Sequence, residues 1–402
     1  MPYTSQQRAA PLRPKWPDAD RLYSSKIKVT QGARQPRFIP MHPPPGCQLG
    51  SSLLTPAVLR EELAAFVASG ILSKRPVAPT NPFNSGGTGL FHAFYLWVIA
   101  RHLKPLHVVE SGAFQGLGTW ILRQAAPQAQ LIVLSPNMPA LYVDRQPTSR
   151  YFTGKLFRDF AHFDWDCLGL DKARTLIFFD DHQSGYRRVL EAQVRGFQHL
   201  MFDDNYLPGA GDNFSPKAAC AAADLAAQHR NASFRFADFR FHPGKPQFSV
   251  TSQELQRIHQ SFVRVARRYQ EIGPLWAGPN RHGLNASGIA HTTQPPLLTP
   301  AEIPAMYRSH IRAHLRAPEE ESKAYTFFSY VHADPSASQR ELFWPPHVGV
   351  ASHRSPFYLA RWTSAQCLDA QRNASTSSAP RSAKWTPSLA SAAAQWLHGR
   401  RK

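Results

Sequence analysis

The sequence predicts an α/β protein: a Rossmann-like, doubly wound, mostly parallel sheet, with an irregular basic N-terminal extension and a low-complexity C-terminal tail. Three observations point there. Between residues 107 and 206, short apolar runs alternate with segments of helical periodicity. In one sheet that alternation implies right-handed crossovers and parallel pairing. The runs lack the in-and-out pattern of a half-exposed sheet, as expected where helices cover both faces. A glycine-bearing turn follows one run, and acidic pairs end two others.

The elements follow in order. Residues 1–54 are basic and proline-rich, with "MHPPPG" at 41–46, and read as a loosely docked extension. The main domain is expected over 55–370, with insertions late in the chain. "TPAVLREELAAFVASGIL" (55–72) reads as a capped helix, with Thr55 as N-cap and Pro56 at the first helical position. "LFHAFYLWVIARHL" (90–103) reads as a largely buried helix. "LHVVES" is a strand, "GTWILRQAAP" a helix and "AQLIVLSP" a strand. After an irregular stretch, "TLIFFDD" is a strand, "GYRRVLEAQVRGF" a helix and "HLMFDDN" a strand. In that helix Tyr186, Val189, Leu190 and Val194 fall at helical spacing, and Gly196 is placed to end it. Beyond Tyr206, "PKAACAAADLAAQHR" predicts a helix, "SFRFADFRFH" a strand and "SQELQRIHQSFVRVARRYQEI" one long basic helix. "YTFFSYVHA" and "FYLARW" are strand candidates that could close the sheet. Residues 371–402 form a Ser/Ala-rich basic tail that is expected to be disordered.

Composition limits the function classes. Lys and Arg number 46 against 27 acids, a formal net charge of +19. That charge steers anionic partners toward the chain without defining a site. No nucleic-acid reader module is recognisable. The four cysteines form no CxxC pair, so no zinc or redox motif is signalled. Their wide, irregular spacing argues against a disulfide framework and toward a reducing compartment. No apolar run reaches the about 18 residues of a spanning helix. The N-terminus has no apolar signal segment, so an intracellular, cytoplasmic protein is expected, with an organelle address by the basic N-terminus left open.

Two features carry chemistry. "VVESGAFQGLGTW" sets Gly112 and Gly116 between a strand and a helix, where the backbone can turn tightly and approach a ligand. The spacing is not GxGxxG, so the dinucleotide fingerprint is absent, and pure turn geometry is a competing reading. "LIFFDDH" and "HLMFDDN" end adjacent strands in acids. In a doubly wound sheet such ends open onto one crevice. Asp181, Asp204 and Asn205 would supply hard oxygen ligands suited to Mg²⁺ or Ca²⁺. Alternation along a continuing strand would turn Asp180 and Asp203 away. Local capping is the competing reading for all four acids. His182 could serve as a general base or satisfy a turn carbonyl.

Together the two features resemble class I S-adenosylmethionine-dependent methyltransferases, in the form of the catechol O-methyltransferase-like metal-dependent O-methyltransferases. Glu110, Gly112, Ala113, Phe114 and Gly116 follow the order of that family's first motif, and Asp181-His182 and Asp204-Asn205 match its two acidic strand ends. The resemblance spans roughly 86–209. It implies S-adenosylmethionine as cofactor, held by Glu110, Gly112, Phe114 and Gly116. Ser135 and Asn137 would stand where the family has a ribose-binding acid, and Asp164 would lie near adenine. It further implies Mg²⁺ on Asp181, Asp204 and Asn205, with Asp181 and His182 in catalytic roles. The segment "NSGGTGLFH" would lie over the cofactor. "YLPGAGDNF", with Asp212, would form a substrate loop. The departures are the uncharged end of the second strand and Ser184 in place of the catechol enzymes' lysine.

The implied reaction is metal-assisted O-methyl transfer to a small-molecule or glycan-like acceptor. A noncatalytic module binding a nucleotide or phosphate ligand, with basic extensions docking an anionic partner, is the alternative. A metal-dependent hydrolase is a third reading. Oligomeric state is unknown.

Overall fold

The computed structural model describes residues 28–30, 37–38, 49–77, 87–206, 208, 213–237, 247–276, 294–303, 321, 325–345, 357 and 359–375. Two short strands, β1 (Lys28–Thr30) and β2 (Arg37–Phe38), come first. Helix α1 (Pro56–Ala68) starts as the sequence predicts: the Thr55 side chain accepts from the Val58 amide, and Pro56 opens the helix. Helix α2 (Leu90–Leu103) is buried along nearly its whole length. Then come β3 (His107–Ser111), α3 (Leu117–Ala125), β4 (Gln130–Leu134), β5 (Ser149–Phe152), β6 (Thr175–Phe179), α4 (Gly185–Val194) and β7 (His199–Phe202).

The chain continues through α5 (Pro216–Cys220), α6 (Ala222–Gln228), β8 (Ser233–Ala237), β9 (Gln247–Thr251), α7 (Ser252–Val265), β10 (Ala266–Glu271), β11 (Ser329–Ala333) and α8 (Ser364–Ser375). Seven strands form one sheet in the order β10-β11-β7-β6-β3-β4-β5. β3 to β7 pair in parallel, while β11 is antiparallel to both β7 and β10. β1, β2, β8 and β9 form a second, antiparallel sheet.

The parallel strands are covered on both faces. Leu176 and Phe178 of β6 pack with α1, α2 and α3, whereas Ile177 and Phe179 pack with α4 to α7. This is the doubly wound arrangement that unbroken apolar strands require. From β3 the chain winds outward to β4 and β5, then returns to the other side of β3 for β6 and β7. The winding direction reverses between β3 and β6. At such a point the carboxyl ends of neighbouring strands leave a crevice.

Several expectations differ from the structure. The irregular stretch after β4 contains β5. The predicted basic helix stops at Val265, and "ARRYQE" becomes β10 because Tyr269 and Gln270 are buried in the sheet against β11. "PKAACAAADLAAQHR" folds as two helices. The described residues of "FYLARW" supply no strand: 359–363 has no regular secondary structure and leads into α8, which spans Ser364–Ser375.

The cysteine reading is also corrected. Cys167 and Cys367 form a disulfide across a sequence separation of 200, Cys220 is disulfide-bonded too, and no cysteine among the described residues is free. Wide spacing misled because the fold brings α8 against the 160s segment. No helix among the described residues is long and apolar enough to cross a membrane.

Candidate functional site

The turn after β3 is forced by sterics. Gly112 and Gly116 lie at φ 94° and 92°, in the left-handed region. A Cβ on Gly112 would sit 2.1 Å from the Asp180 carbonyl oxygen, and one on Gly116 would sit 2.1 Å from that of Tyr142. Gly112 therefore lets the turn lie directly on the end of β6. Gly118, which the sequence reading passed over, is needed as well: a Cβ there would come within 2.3 Å of Glu110 Oε1. Glu110 is buried beneath the start of α3 and accepts a hydrogen bond from the Thr119 hydroxyl. Burial pushes its carboxyl up to about 8, the Thr119 bonds opposing. Phe114, at the tip of the turn, has φ 41° and is 54% exposed.

The backbone ladder extends past the strands. Asp180 N–H donates to Ser111 O at 2.9 Å, and Asp203 N–H donates to Phe179 O at 3.1 Å. These bonds bring the ends of β3, β6 and β7 together. Beyond them the chain leaves the pleat. His182 and Asp204 adopt φ 54° and 57°, so the alternation of a continuing strand does not apply.

That break decides which acid of each pair faces the crevice. Asp181 is buried and fully engaged. Its Oδ2 accepts from Ser111 Oγ at 2.7 Å and pairs with Arg188 at 2.8 Å, and its Oδ1 accepts from the Gln183 amide. Arg188 also binds Asp159 and Glu191, each at 2.6 Å. Asn205 is buried with both ends of its amide used: Nδ2 donates to Tyr269 OH and Oδ1 accepts from the Lys217 amide, each at 3.0 Å.

The group that converges is Asp180, His182 and Asp204, with one donor atom from each lying within 4.8 Å of the others. Of the expected ligand set of Asp181, Asp204 and Asn205, Asp204 belongs to this group. Asp181, given a catalytic role from sequence, lies in a buried ion-pair network with Arg188.

The electrostatics of the converging group are unusual. His182 Nδ1 lies 2.9 Å from Asp204 Oδ2, and Tyr206 OH donates to Asp204 Oδ1 at 2.9 Å. Among the described residues none donates a hydrogen bond to the Asp180 carboxylate. Burial, then repulsion from Asp203, hold its carboxyl well above the usual range; His182 opposes and Asp204 adds. Asp203 is held beneath by the Thr326 hydroxyl and the Asp204 amide, with His92 Nε2 at 3.6 Å. His92 sits at the start of α2, where its Nδ1 accepts from the Gly89 amide. Sequence reasoning placed this segment over the cofactor but did not single out His92.

The remaining expected residues are spread out. Ser135 is buried at the end of β4, and its amide donates to Phe152 O at 3.3 Å. Asn137 is exposed two residues on. Asp164 is buried and bound at both oxygens, by the Asp166 amide at 3.2 Å and the Trp362 amide at 2.8 Å. It is therefore committed to the C-terminal segment, and Phe163 and Trp165 are core residues. Asp212 and most of the expected substrate loop lie outside the described residues.

No family model matches the sequence, and no curated protein matches it. Several of the solved structures that match carry methyltransferase names. One is a Klebsiella pneumoniae protein described as a candidate O-methyltransferase, 14% identical, covering 50% of this chain and 90% of its own, with a TM-score of 0.27. A methyltransferase of Podospora anserina solved with SAH is 15% identical, covers 44% and 77%, and has a TM-score of 0.24. An O-methyltransferase of Bacillus cereus in complex with SAH is 13% identical, covers 48% and 88%, and has a TM-score of 0.22. Likeness at this level assigns the chain to no family.

Proposed function

We propose that this chain transfers a methyl group from S-adenosylmethionine to a hydroxyl oxygen of a small-molecule or glycan-like acceptor, assisted by a divalent cation at Asp180, His182 and Asp204. The observation that carries the reading is the Asp180 carboxylate. It is repelled by two neighbouring acids, receives no hydrogen bond from the described residues, and lies against the glycine turn. Such a group calls for a proton or a cation. Two carboxylates suit Mg²⁺, and the added imidazole widens the choice to Mn²⁺. When bound, the cation would lower the pKa of an acceptor hydroxyl.

The chain's own residues do the rest. Gly112 and Gly116 let backbone approach the cofactor, and Phe114 offers it an apolar face. Ser135 and Asn137 would meet the ribose with neutral groups. His182 is positioned by Asp204 either to complete the donor set or to take the acceptor's proton. Catalysis on this reading is mostly a matter of positioning. The basic extensions are proposed to dock an anionic partner, in keeping with the net charge of +19.

A second reading has one observation in its favour. An imidazole oriented by a carboxylate, as His182 is by Asp204, also activates water, which would suit a metal-dependent hydrolase. Calorimetry of the full chain with S-adenosylmethionine, with and without Mg²⁺, separates the readings. Methyl transfer requires cofactor binding. Absence of heat at millimolar cofactor would contradict it and favour the hydrolase. Binding without turnover of any hydroxyl acceptor would favour a noncatalytic module.

A further inference from the structure

We infer that Asn231 carries an N-linked oligosaccharide, added in an oxidising lumen where the chain's cysteines also pair. The sequence holds four Asn-x-Ser motifs, at Asn213, Asn231, Asn285 and Asn373. Such a tripeptide is a site only on the surface of a chain that meets the transferring enzyme. The structure separates two of the four.

Asn213 is buried, 8% exposed, and its Nδ2 donates to the Asp204 backbone oxygen at 3.5 Å. The motif's serine is occupied too: Ser215 Oγ donates to Tyr206 O at 2.5 Å and accepts from the Ala218 amide at 3.0 Å. Pro216 follows directly. A sugar on Asn213 would have to pass through the wall that holds Asp204. Asn231 is the opposite case. It is exposed in the short turn between α6 and β8, at φ 60°, a left-handed conformation that asparagine tolerates. Ser233, two residues on, is exposed at the start of β8. A bulky polar group on Asn231 would project into solvent and displace nothing. Asn285 lies outside the described residues, and Asn373 lies within α8.

The second, independent observation is the cysteine pairing. Cys167 and Cys367 are bridged with their Cα atoms 5.3 Å apart, Cys220 is also in a disulfide, and no cysteine among the described residues is free. Disulfides form and persist mainly in oxidising compartments. The eukaryotic secretory lumen is one, and it is also where oligosaccharides are transferred to such asparagines. Each cysteine pair gives two electrons and two protons to a disulfide-donating oxidase of that lumen. In the transfer step the Asn231 amide nitrogen attacks the anomeric carbon of a lipid-diphosphate-linked oligosaccharide. The new N–C bond forms as the C–O bond to the diphosphate breaks. The amide loses one proton and the lipid diphosphate leaves.

The test uses the full chain purified from its own cells, with iodoacetamide added at lysis, followed by peptide mass mapping before and after N-glycosidase digestion. The expected result is a sugar-bearing Asn231 peptide that N-glycosidase converts to the aspartate form, an unmodified Asn213 peptide, and Cys167 and Cys367 peptides joined until reduction. The Asn231→Gln variant should migrate one glycan step faster with an unchanged far-ultraviolet spectrum. An unmodified Asn231 peptide overturns the assignment, whatever the cysteines show. Alkylated Cys167 and Cys367 overturn the oxidising compartment.

Discussion

Asp180 and Asp181 are neighbours in sequence with opposite surroundings. Around Asp181 every charge is met: Ser111, Arg188 and the Gln183 amide bind it, and Asp159 and Glu191 share the arginine. Around Asp180 charge is left over, because Asp203 and Asp204 crowd it and no described residue donates to it. The contrast separates structure from function. A completed buried network holds the crevice in shape, and the incomplete one is where the proposed function puts its cation. Each half can be perturbed without the other.

The largest effect is expected on the Asp181 side. Arg188→Ala leaves Asp181 and Asp159 without their cation, while Glu191 keeps Arg187 at 2.6 Å, and removing one partner of a buried ion pair costs about 3–5 kcal/mol. Urea unfolding should show that loss, and a change within error would mean the network does not hold the fold. Next comes the staple between α8 and the 160s segment. Cys367→Ser opens a bridge spanning 200 residues, for which a loss of about 2–5 kcal/mol is expected. Reducing agent should then lower the stability of the wild-type chain and leave the variant's response to the Cys167 bridge absent.

Glu110 gives a smaller effect of defined sign. Its folded-state pKa, about 8, lies above the ordinary carboxyl value of 4.5. The folded chain therefore holds a proton that the unfolded chain releases between those two values. This contribution is fully present below the unfolded pKa and is lost as pH rises through about 8. Glu110→Gln should flatten the fall of melting temperature across that window and stabilise the chain at its upper end by about 1–3 kcal/mol. A variant with the wild-type pH slope would place the titration elsewhere. The smallest stability effect is expected on the Asp180 side. Asp180→Asn removes repulsion and should change stability by less than about 1 kcal/mol, in the stabilising direction at neutral pH.

Much of the fold was legible because it rests on local patterns. Unbroken apolar runs, Thr55 before Pro56, and the 186–194 spacing are all short-range signals, and the structure bears them out. The segment "SRYF" carried no such signal, because β5 is short and mixed in polarity. The turn of "ARRYQE" from helix to strand depends on pairing with β11, which lies far along the chain. The cysteine bridge is likewise a long-range fact.

In the site, the carboxyl ends of β6 and β7 could be located from sequence, but the choice within each acidic pair could not. That choice depends on left-handed turns at His182 and Asp204, and on Arg188 drawing Asp181 away. The engagement of Asp164 was not legible for a similar reason, since its partner Trp362 lies 198 residues distant.

The central claim is that Asp180, and not Asp181 or Asn205, holds a cation with Asp204 and His182. Mn²⁺ titration of the folded full chain, followed by electron paramagnetic resonance, tests it most directly when wild type and Asp180→Asn are compared. The expected result is one site in the wild type, weakened at least about tenfold in the variant, a change equivalent to about 1.4 kcal/mol. Equal Mn²⁺ affinity in the two proteins would contradict the account.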